Sequence, residues 1–230
     1  MELIQVNNRN KNSIRGRVYE LLRERIINLE LTPGMAISEN EVSDMLQVSR
    51  TPVREAFLRL SQEGLVNVYP QKGSIISLID WEQLEEARFM REVLELATIS
   101  IACKDFPVTY LMELTSNLEE QERCIAEKRY EDFFKFDDQF HSIIYLGCKK
   151  ARIWNLLQNM MSINFSRVRI LSISEQLNID KLLSQHIEIV NSIKNQDPIR
   201  GEQVTREHLN LIKVDREELF RKFPNYFLQV

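Results

Sequence analysis

Several residue classes are scarce in this sequence, and each scarcity excludes a type of protein. The 230 residues include three cysteines, Cys103, Cys124 and Cys148, an odd number without paired spacing. We expect reduced, partly buried thiols rather than a disulfide framework. The sequence has no signal peptide and no apolar run of membrane-spanning length. A soluble, cytoplasmic protein without a membrane partner is therefore expected.

An excess of basic residues is also missing, since the formal net charge is −4. Residues 1–78 hold ten Lys and Arg against nine Asp and Glu, whereas residues 79–230 hold twenty against twenty-five. A near-neutral first part argues against an architectural, DNA-coating protein and requires that any DNA binding depend on local placement of cations. Strand-like patterning ends near residue 79, so we predict two domains, 1–78 and 79–230.

Residues 38–64 carry the start and stop signals of two consecutive helices. Ser38 and Glu41 have the spacing of a capping box. Ser49 is a favourable N-cap for the next helix, and Pro52 falls in its first turn, where a missing N–H costs little. Gly64 is suited to end that helix in a left-handed conformation. The pattern predicts a helix-turn-helix.

The second of these helices presents a polar cluster at its N-terminus. Val53, with Ala56 and Phe57, forms the apolar face and leaves Arg50, Thr51 and Arg54 on the other side. Arginine can bind guanine O6 and N7 with two hydrogen bonds, and a helix N-terminus attracts phosphate. The cluster therefore indicates a DNA recognition helix, although each arginine taken singly could be an ordinary solvated charge.

A β-hairpin is predicted after Gly64. The β-branched runs 65–69 and 74–78 flank the turn 70–73, which has Lys72 near its tip and Gly73 at its end. A basic hairpin tip suits contact with the DNA backbone, whereas a solvated turn is the plainer interpretation. With an amphipathic helix upstream at 13–35, the first domain is predicted to be a winged helix-turn-helix.

The second domain is patterned as helix almost throughout. The predicted segments are 81–105, 108–127, 129–146, 150–173, 177–196 and 198–221. Short connections and little strand signal indicate an all-α bundle of six to seven helices.

All three histidines of the chain lie in this bundle. Asp137 and His141 are four residues apart on one helical face. His186 precedes Asp197 by eleven residues and His208 follows it by eleven. With a rise of about 1.5 Å per residue, the two histidines lie at matching heights on an antiparallel hairpin. The four side chains could converge on zinc, nickel or another divalent transition metal, or they could be hydrogen-bonded core residues.

Arg91 places a cation on an otherwise apolar inner face of the first bundle helix. Its partner could be Glu95, four residues later, in an internal salt bridge. The functional alternative is an anchor for a carboxylate ligand. Arg167 and Arg169 could contribute, but their two-residue spacing predicts that at most one points inward.

The sequence resembles a known family in both parts. Residues 13–78, and above all SENEVSDMLQVSRTPVREAFLRLSQEGLV at 38–66, look like the winged-helix domain of the GntR family of bacterial transcription regulators. Residues 81–220 are similar to the FCD ligand-binding domain of the FadR subgroup. The matching segments are RxxLE at 91–95, DDQFH at 137–141, QHIEIVNSIKNQD at 185–197 and REHLNLI at 206–212.

The resemblance implies roles for individual residues. DNA contacts would fall on Arg50, Thr51, Arg54, Lys72 and Gly73, beside Ser49. Some relatives have an arginine where this sequence has Asn40, so a guanine contact of the arginine type is excluded there, although Asn40 suits a phosphate or an adenine edge. The metal ligands of the family would be Asp137, His141, His186 and His208, and the effector would pair with Arg91.

The main hypothesis is a non-enzymatic transcription regulator that binds a palindromic operator in double-stranded DNA as a homodimer. A small carboxylate effector at the metal would change its operator binding. The first and fourth bundle helices are the expected dimer surface. The alternative is a metal-dependent hydrolase, because three histidines and one aspartate could hold an ion that activates water.

Overall fold

The computed structural model describes residues 13–69, 73–160 and 163–229, without the side chains of residues 159, 160 and 163. These residues form two compact units. The first comprises the chain up to Asp80 together with the segment that begins at Phe223, and the second is Trp81–Lys222. The architecture is mainly helical, as the sequence predicts.

The first unit is a winged helix-turn-helix. Its elements are α1 (Ile14–Ile27), β1 (Ala36–Ile37), α2 (Glu39–Leu46), α3 (Arg50–Gln62), β2 (Val66–Tyr69) and β3 (Gly73–Ile76). The strands form an antiparallel sheet in the order β1-β3-β2. Tyr69 pairs with Gly73 at the outer end of the predicted hairpin, whose turn residues 70–72 lie outside the described part.

Local signals in the sequence explain where these helices begin and end. The Glu41 backbone N–H donates to Ser38 Oγ at 3.2 Å, and the Ser38 N–H donates to Glu41 Oε2 at 3.1 Å. The predicted capping box is thus confirmed. Ser49 takes the N-cap position of α3 without a capping hydrogen bond from its side chain. Gly64 follows α3 with a φ of 72°, the left-handed conformation predicted for it.

The core of the first unit lies between α1, α3 and the sheet. Its most buried side chains are Leu22, Ile26, Val53, Phe57, Leu60, Leu65 and Ile76. Two large apolar side chains of the helix-turn-helix do not join it, and one of them is Leu58 on α3, which is 61% exposed. Met45 is 52% exposed, because the buried positions of α2 are Val42 and Ser43.

The C-terminal segment that begins at Phe223 belongs to the first unit. The predicted boundaries placed this segment in the second domain, 79–230. The Ile79 N–H donates to the Tyr226 carbonyl at 2.7 Å, and the Leu228 N–H donates to the Ile79 carbonyl at 2.9 Å. Ile79 and Phe227 are both buried. No periodicity in so short a segment could predict this pairing, since its partner lies some 150 residues away in the sequence.

The second unit is all-α, as predicted. Its helices are α4 (Trp81–Ala102), α5 (Val108–Ala126), α6 (Tyr130–Gly147), α7 (Ala151–Met160), α8 (Ile163–Ser174), α9 (Ile179–Lys194), α10 (Pro198–Leu209), α11 (Leu211–Val214) and α12 (Arg216–Lys222). The predicted helix 150–173 corresponds to α7 and α8, and the predicted helix 198–221 to three shorter ones. Among the described residues, no helix has both the length and the apolar character needed to cross a membrane.

Two features of the bundle position the histidines. Asp197 caps α10 by accepting a hydrogen bond from the Arg200 N–H at 3.0 Å, and Pro198 starts the helix, so α9 and α10 form the predicted hairpin. Gly201 lets α10 approach α4 closely. A Cβ at Gly201 would lie 2.8 Å from the Ile99 side chain and 3.0 Å from Cys103 Sγ.

Candidate metal centre and nucleic-acid interface

Asp137, His141, His186 and His208 converge inside the second unit. One potential ligand atom from each lies within 4.8 Å of all the others, and all four residues are buried. His141 Nε2 and His208 Nε2 are 3.2 Å apart, and His186 Nε2 lies 3.5 Å from Asp137 Oδ1. The four side chains that the sequence spacing brought together as candidates therefore do lie next to one another.

A chain of hydrogen bonds orients His186. The Asn117 amide donates to the Phe136 carbonyl at 3.0 Å, and the Gln121 amide donates to Asn117 Oδ1 at 2.7 Å. Gln121 therefore directs its oxygen at His186 Nδ1, 2.8 Å away. This acceptor fixes the proton of the neutral imidazole on Nδ1 and leaves the lone pair of Nε2 facing the cluster.

His141 is oriented by a carboxylate in the same way. Its Nδ1 lies 2.9 Å from Glu95 Oε2, and the other oxygen of Glu95 accepts a hydrogen bond from Arg91 Nε. The proton of His141 is therefore held on Nδ1, with Nε2 available for an ion. The salt bridge considered for Arg91 is present. Arg91 Nη2 is nevertheless buried without a hydrogen-bond partner in the described part of the chain.

The electrostatics of the cluster keep its imidazoles neutral. Burial lowers the pKa of His141, His186 and His208, and for the last two the neighbouring histidines lower it further. Burial alone would raise the pKa of Glu95, but Arg91 and His141 hold it well below its usual range. A neutral imidazole beside a charged carboxylate is the protonation state that metal ligation requires.

Arg169 is a part of the site that sequence reasoning did not resolve. Its Nη2 pairs with Asp137 Oδ2, and its Nη1 donates to Asp138 Oδ1 at 2.9 Å. Arg167, two residues earlier, is 1% exposed and donates to Asn164 Oδ1 at 2.7 Å. Of the two arginines, Arg169 lines the site, whereas Arg167 is buried beside Asn164. This agrees with the prediction that at most one of them points inward.

The donor set fits a divalent transition metal. Three imidazole nitrogens and one carboxylate oxygen suit zinc or nickel. The separations of 3.2 and 3.5 Å match those of two ligands each about 2 Å from one ion. His186 Nε2 and Asp137 Oδ1 are buried without a hydrogen-bond partner among the described residues. Burying such atoms is costly unless something else satisfies them.

A cavity of about 40 Å³ lies next to the cluster. Its wall includes Arg91, Arg169 and His208 on one side and Phe165 beneath the two guanidinium groups, at 5.2 and 5.8 Å from the ring centre. Most of the remaining wall is apolar. The cavity is thus lined by His208 of the candidate metal centre and by two arginines, Arg91 and Arg169.

The predicted DNA-contact residues lie on the surface of the first unit. Asn40, Ser49, Arg50, Thr51 and Arg54 are exposed. Gly73 is also exposed, with a φ of 93° that permits the hairpin turn, whereas Lys72 lies outside the described residues. Within the described ranges, neither Arg50 nor Arg54 has an ion-pair or hydrogen-bond partner. Both guanidinium groups are thus available to a ligand.

Arg59, on the same helix, is already engaged. Its guanidinium lies 3.6 Å from the centre of the Tyr19 ring and 3.4 Å from Glu63. The Tyr19 hydroxyl donates to Glu63 at 2.6 Å, and Arg23 lies 3.5 Å from the same carboxylate. These contacts tie α1 to the end of α3 and leave the N-terminal half of α3 as the cationic surface.

The winged helix-turn-helix, together with an all-α unit that contains a buried His and Asp cluster, defines a two-domain DNA-binding regulator. The sequence pattern of bacterial regulatory proteins of the gntR family matches residues 14–76, and that of the FCD domain matches residues 86–211. The chain belongs to the GntR family, in the FadR subgroup that carries an FCD domain, and is a DNA-binding transcriptional regulator of that type.

Its relatives and structural neighbours agree with this assignment. The chain is 30% identical over 211 residues, 92% of each chain, to the HTH-type transcriptional repressor RspR of Escherichia coli K12. It is 32% identical over 210 residues, 91% of this chain and 88% of the other, to an HTH-type regulator in an unstable DNA locus of Streptomyces ambofaciens. The E. coli McbR/YncC structure shares the fold with a TM-score of 0.71 at 20% identity, covering 92% of this chain and 99% of that one.

Proposed function

We propose that this regulator holds a divalent transition metal, zinc or nickel, at Asp137, His141, His186 and His208, and that a small carboxylate bound there modulates its binding to a specific operator. The observation that carries the proposal is the convergence of four buried donors within 4.8 Å of one another. The hydrogen bonds that His186 and His141 donate to Gln121 and Glu95 support it, because they turn imidazole lone pairs toward the same point. A bound ion would supply an electrophilic position for one carboxylate oxygen.

The cavity beside the cluster supports a carboxylate as the effector. Arg91 keeps a buried N–H without a partner among the described residues and lines this space. Arg169 lines it too, and burial together with the charge of Arg91 lowers the pKa of Arg169. An anion in the cavity would relieve the repulsion between the two guanidinium groups. We therefore assign Arg91 as the main effector contact and Arg169 as a second one.

Specific operator binding is assigned to α3 and its flanks. Arg50 and Arg54 would contact base edges, and Thr51 and Ser49 would contact phosphates or bases near the helix N-terminus. Asn40 would reach the DNA from α2, while Lys72 and Gly73 would contact the backbone from the hairpin. One winged unit covers few base pairs, so we expect a homodimer on a palindromic operator.

The dimer surface is proposed on the first and fourth predicted helices of the bundle. On α4, Phe89 is 64% exposed and Val93, one turn further, is 51% exposed. On α7, Leu156 is 58% exposed. Large apolar side chains in a row are typical of a surface that a partner covers. Effector binding beside α4 would then change the relative placement of the two DNA-binding units.

Elemental analysis of the purified protein tests the metal centre. We expect about one ion per chain in the wild type and none in the double variant His186→Ala with His208→Ala, because two of the four ligands are lost. The double variant should also lose thermal stability and the effect of the carboxylate on operator affinity. Ile187→Ala with Glu207→Ala is the matched control, since these neighbouring side chains are exposed.

Two outcomes would overturn the metal proposal. The first is a stoichiometric ion in the double-histidine variant. The second is a metal-free wild type that responds to the same carboxylate with undiminished affinity. The hydrolase alternative finds no support in the comparisons, which identify transcriptional regulators.

A further inference from the structure

Asp215 is a buried carboxylate without a cation. Its side chain accepts a hydrogen bond from the Asn178 amide at 2.6 Å, lies beside the Ser172 hydroxyl and is 5% exposed. Throughout the described ranges, no Lys, Arg or His lies within ion-pair distance of it. The cations next to it in sequence are committed elsewhere, since Arg216 stacks on Trp81 and Lys213 pairs with Glu85. Buried carboxylates are rare unless paired with positive charge.

The same carboxylate lines the cavity beside the candidate metal centre. Helix α8 contributes Phe165, Arg169 and Ser172 to the wall of that cavity. Ser172 stands about one helical turn beyond Arg169 on the same face. The charged side chains around the cavity therefore divide into a cationic end, with Arg91 and Arg169 beside the neutral His208, and an anionic end at Asp215. Apolar side chains, including Leu182 and Ile212, lie in the wall between them.

We propose that the effector is a small amino carboxylate, with its carboxylate at the arginine end and its ammonium group, several bonds away, on Asp215. The inference rests on the proposed function, which places the carboxylate at the metal and Arg91. An ammonium group would supply the cation that Asp215 lacks and would donate to its oxygen. A short apolar linker would contact the wall between the two ends.

Asp215 lies four residues beyond the segment that matches the FCD domain, which ends at residue 211. Burial raises the pKa of Asp215, although Ser172 and Asn178 act in the opposite direction. A cation on the ligand would stabilise the charged carboxylate, which a plain apolar acid could not do. The residue thus selects among carboxylates that the metal and the arginines would otherwise accept alike.

Isothermal titration of the zinc-loaded, full-length protein tests the inference. The probes are β-alanine, γ-aminobutyrate and δ-aminovalerate, each compared with the unsubstituted acid of the same length. We expect at least one amino acid of the series to bind about tenfold or more tightly than its parent acid, the size of one hydrogen bond to a charged group. γ-Hydroxybutyrate, a neutral donor, should fall between γ-aminobutyrate and butyrate.

The variant Asp215→Asn keeps the size of the side chain and removes its charge. We expect it to retain its metal and to reduce the preference for the amino acid to near one. Asp180→Asn, at an exposed position of α9, is the control and should keep the wild-type preference. Parent acids that bind as well as the amino acids throughout the series, or an unchanged preference in Asp215→Asn, would overturn the inference while the carboxylate site stands. Equal binding of all probes to metal-free protein would instead overturn the proposed role of the metal.

Discussion

In the first unit, Arg50 and Arg54 lie on the surface without partners among the described residues, whereas in the second unit Arg91 and Arg169 are enclosed and paired with carboxylates. We ascribe the difference to the ligand that is proposed for each unit. DNA is a large polyanion that approaches from outside, so cations on an exposed helix suffice. A small anion must be enclosed to be distinguished, and each enclosed cation then needs a compensating charge.

The comparison predicts that charge removal is most damaging inside the bundle. Glu95→Leu should destabilise the protein by about 3–5 kcal/mol, because it leaves Arg91 buried without its partner. Chemical denaturation of the metal-free protein would measure this loss. Glu86→Leu, on the exposed side of the same helix, should stay within about 0.5 kcal/mol of wild type. Equal effects of the two variants would show that the interior pair has no special role.

On the surface of the first unit, charge removal should affect DNA binding and not stability. Arg54→Ala should cost about 1–3 kcal/mol of operator affinity with unchanged thermal stability. Arg59→Ala is the matched comparison on the same helix. It should leave operator affinity nearly unchanged, because Arg59 is held by Tyr19 and Glu63. Fluorescence anisotropy at one salt concentration would measure both, and an Arg54→Ala protein with full affinity would disprove the recognition-helix assignment.

A subtler change tests whether the interior hydrogen bonds orient the ligands. Gln121→Leu removes the acceptor of His186 Nδ1 and should weaken metal affinity roughly 10–100-fold, as loss of such a partner typically does. Competition with a chelator would measure the affinity. Glu122→Leu, at the exposed neighbouring position, should leave it unchanged. A Gln121→Leu protein with wild-type affinity would mean that packing of His186 on the Phe140 ring, 4.1 Å between centres, is sufficient orientation.

Short-range rules in the sequence predicted much of the first unit. The capping box at Ser38, the N-cap position of Ser49 and the left-handed Gly64 depend on residues three or four apart, so a local pattern contains the necessary information. The same holds for the exposure of Arg50 and Arg54, which follows from helical period. The matching positions of His186 and His208 along the helical hairpin could also be predicted, because in a tight hairpin the distance of each residue from the turn follows from its sequence separation.

Only the tertiary structure decided which side chains complete the buried site. Gln121 and Glu95 come from helices remote in sequence from His186 and His141, and nothing in their local pattern distinguishes them from ordinary polar residues. Arg169 and Asp215 face the cavity because several helices enclose it. The segment from Phe223 pairs with Ile79 within the first unit, far from it in sequence. Sequence periodicity specifies which face of one helix is apolar. The packing of many helices determines which residues that face contacts. This packing depends on burial and charge pairing between residues that are far apart in the sequence.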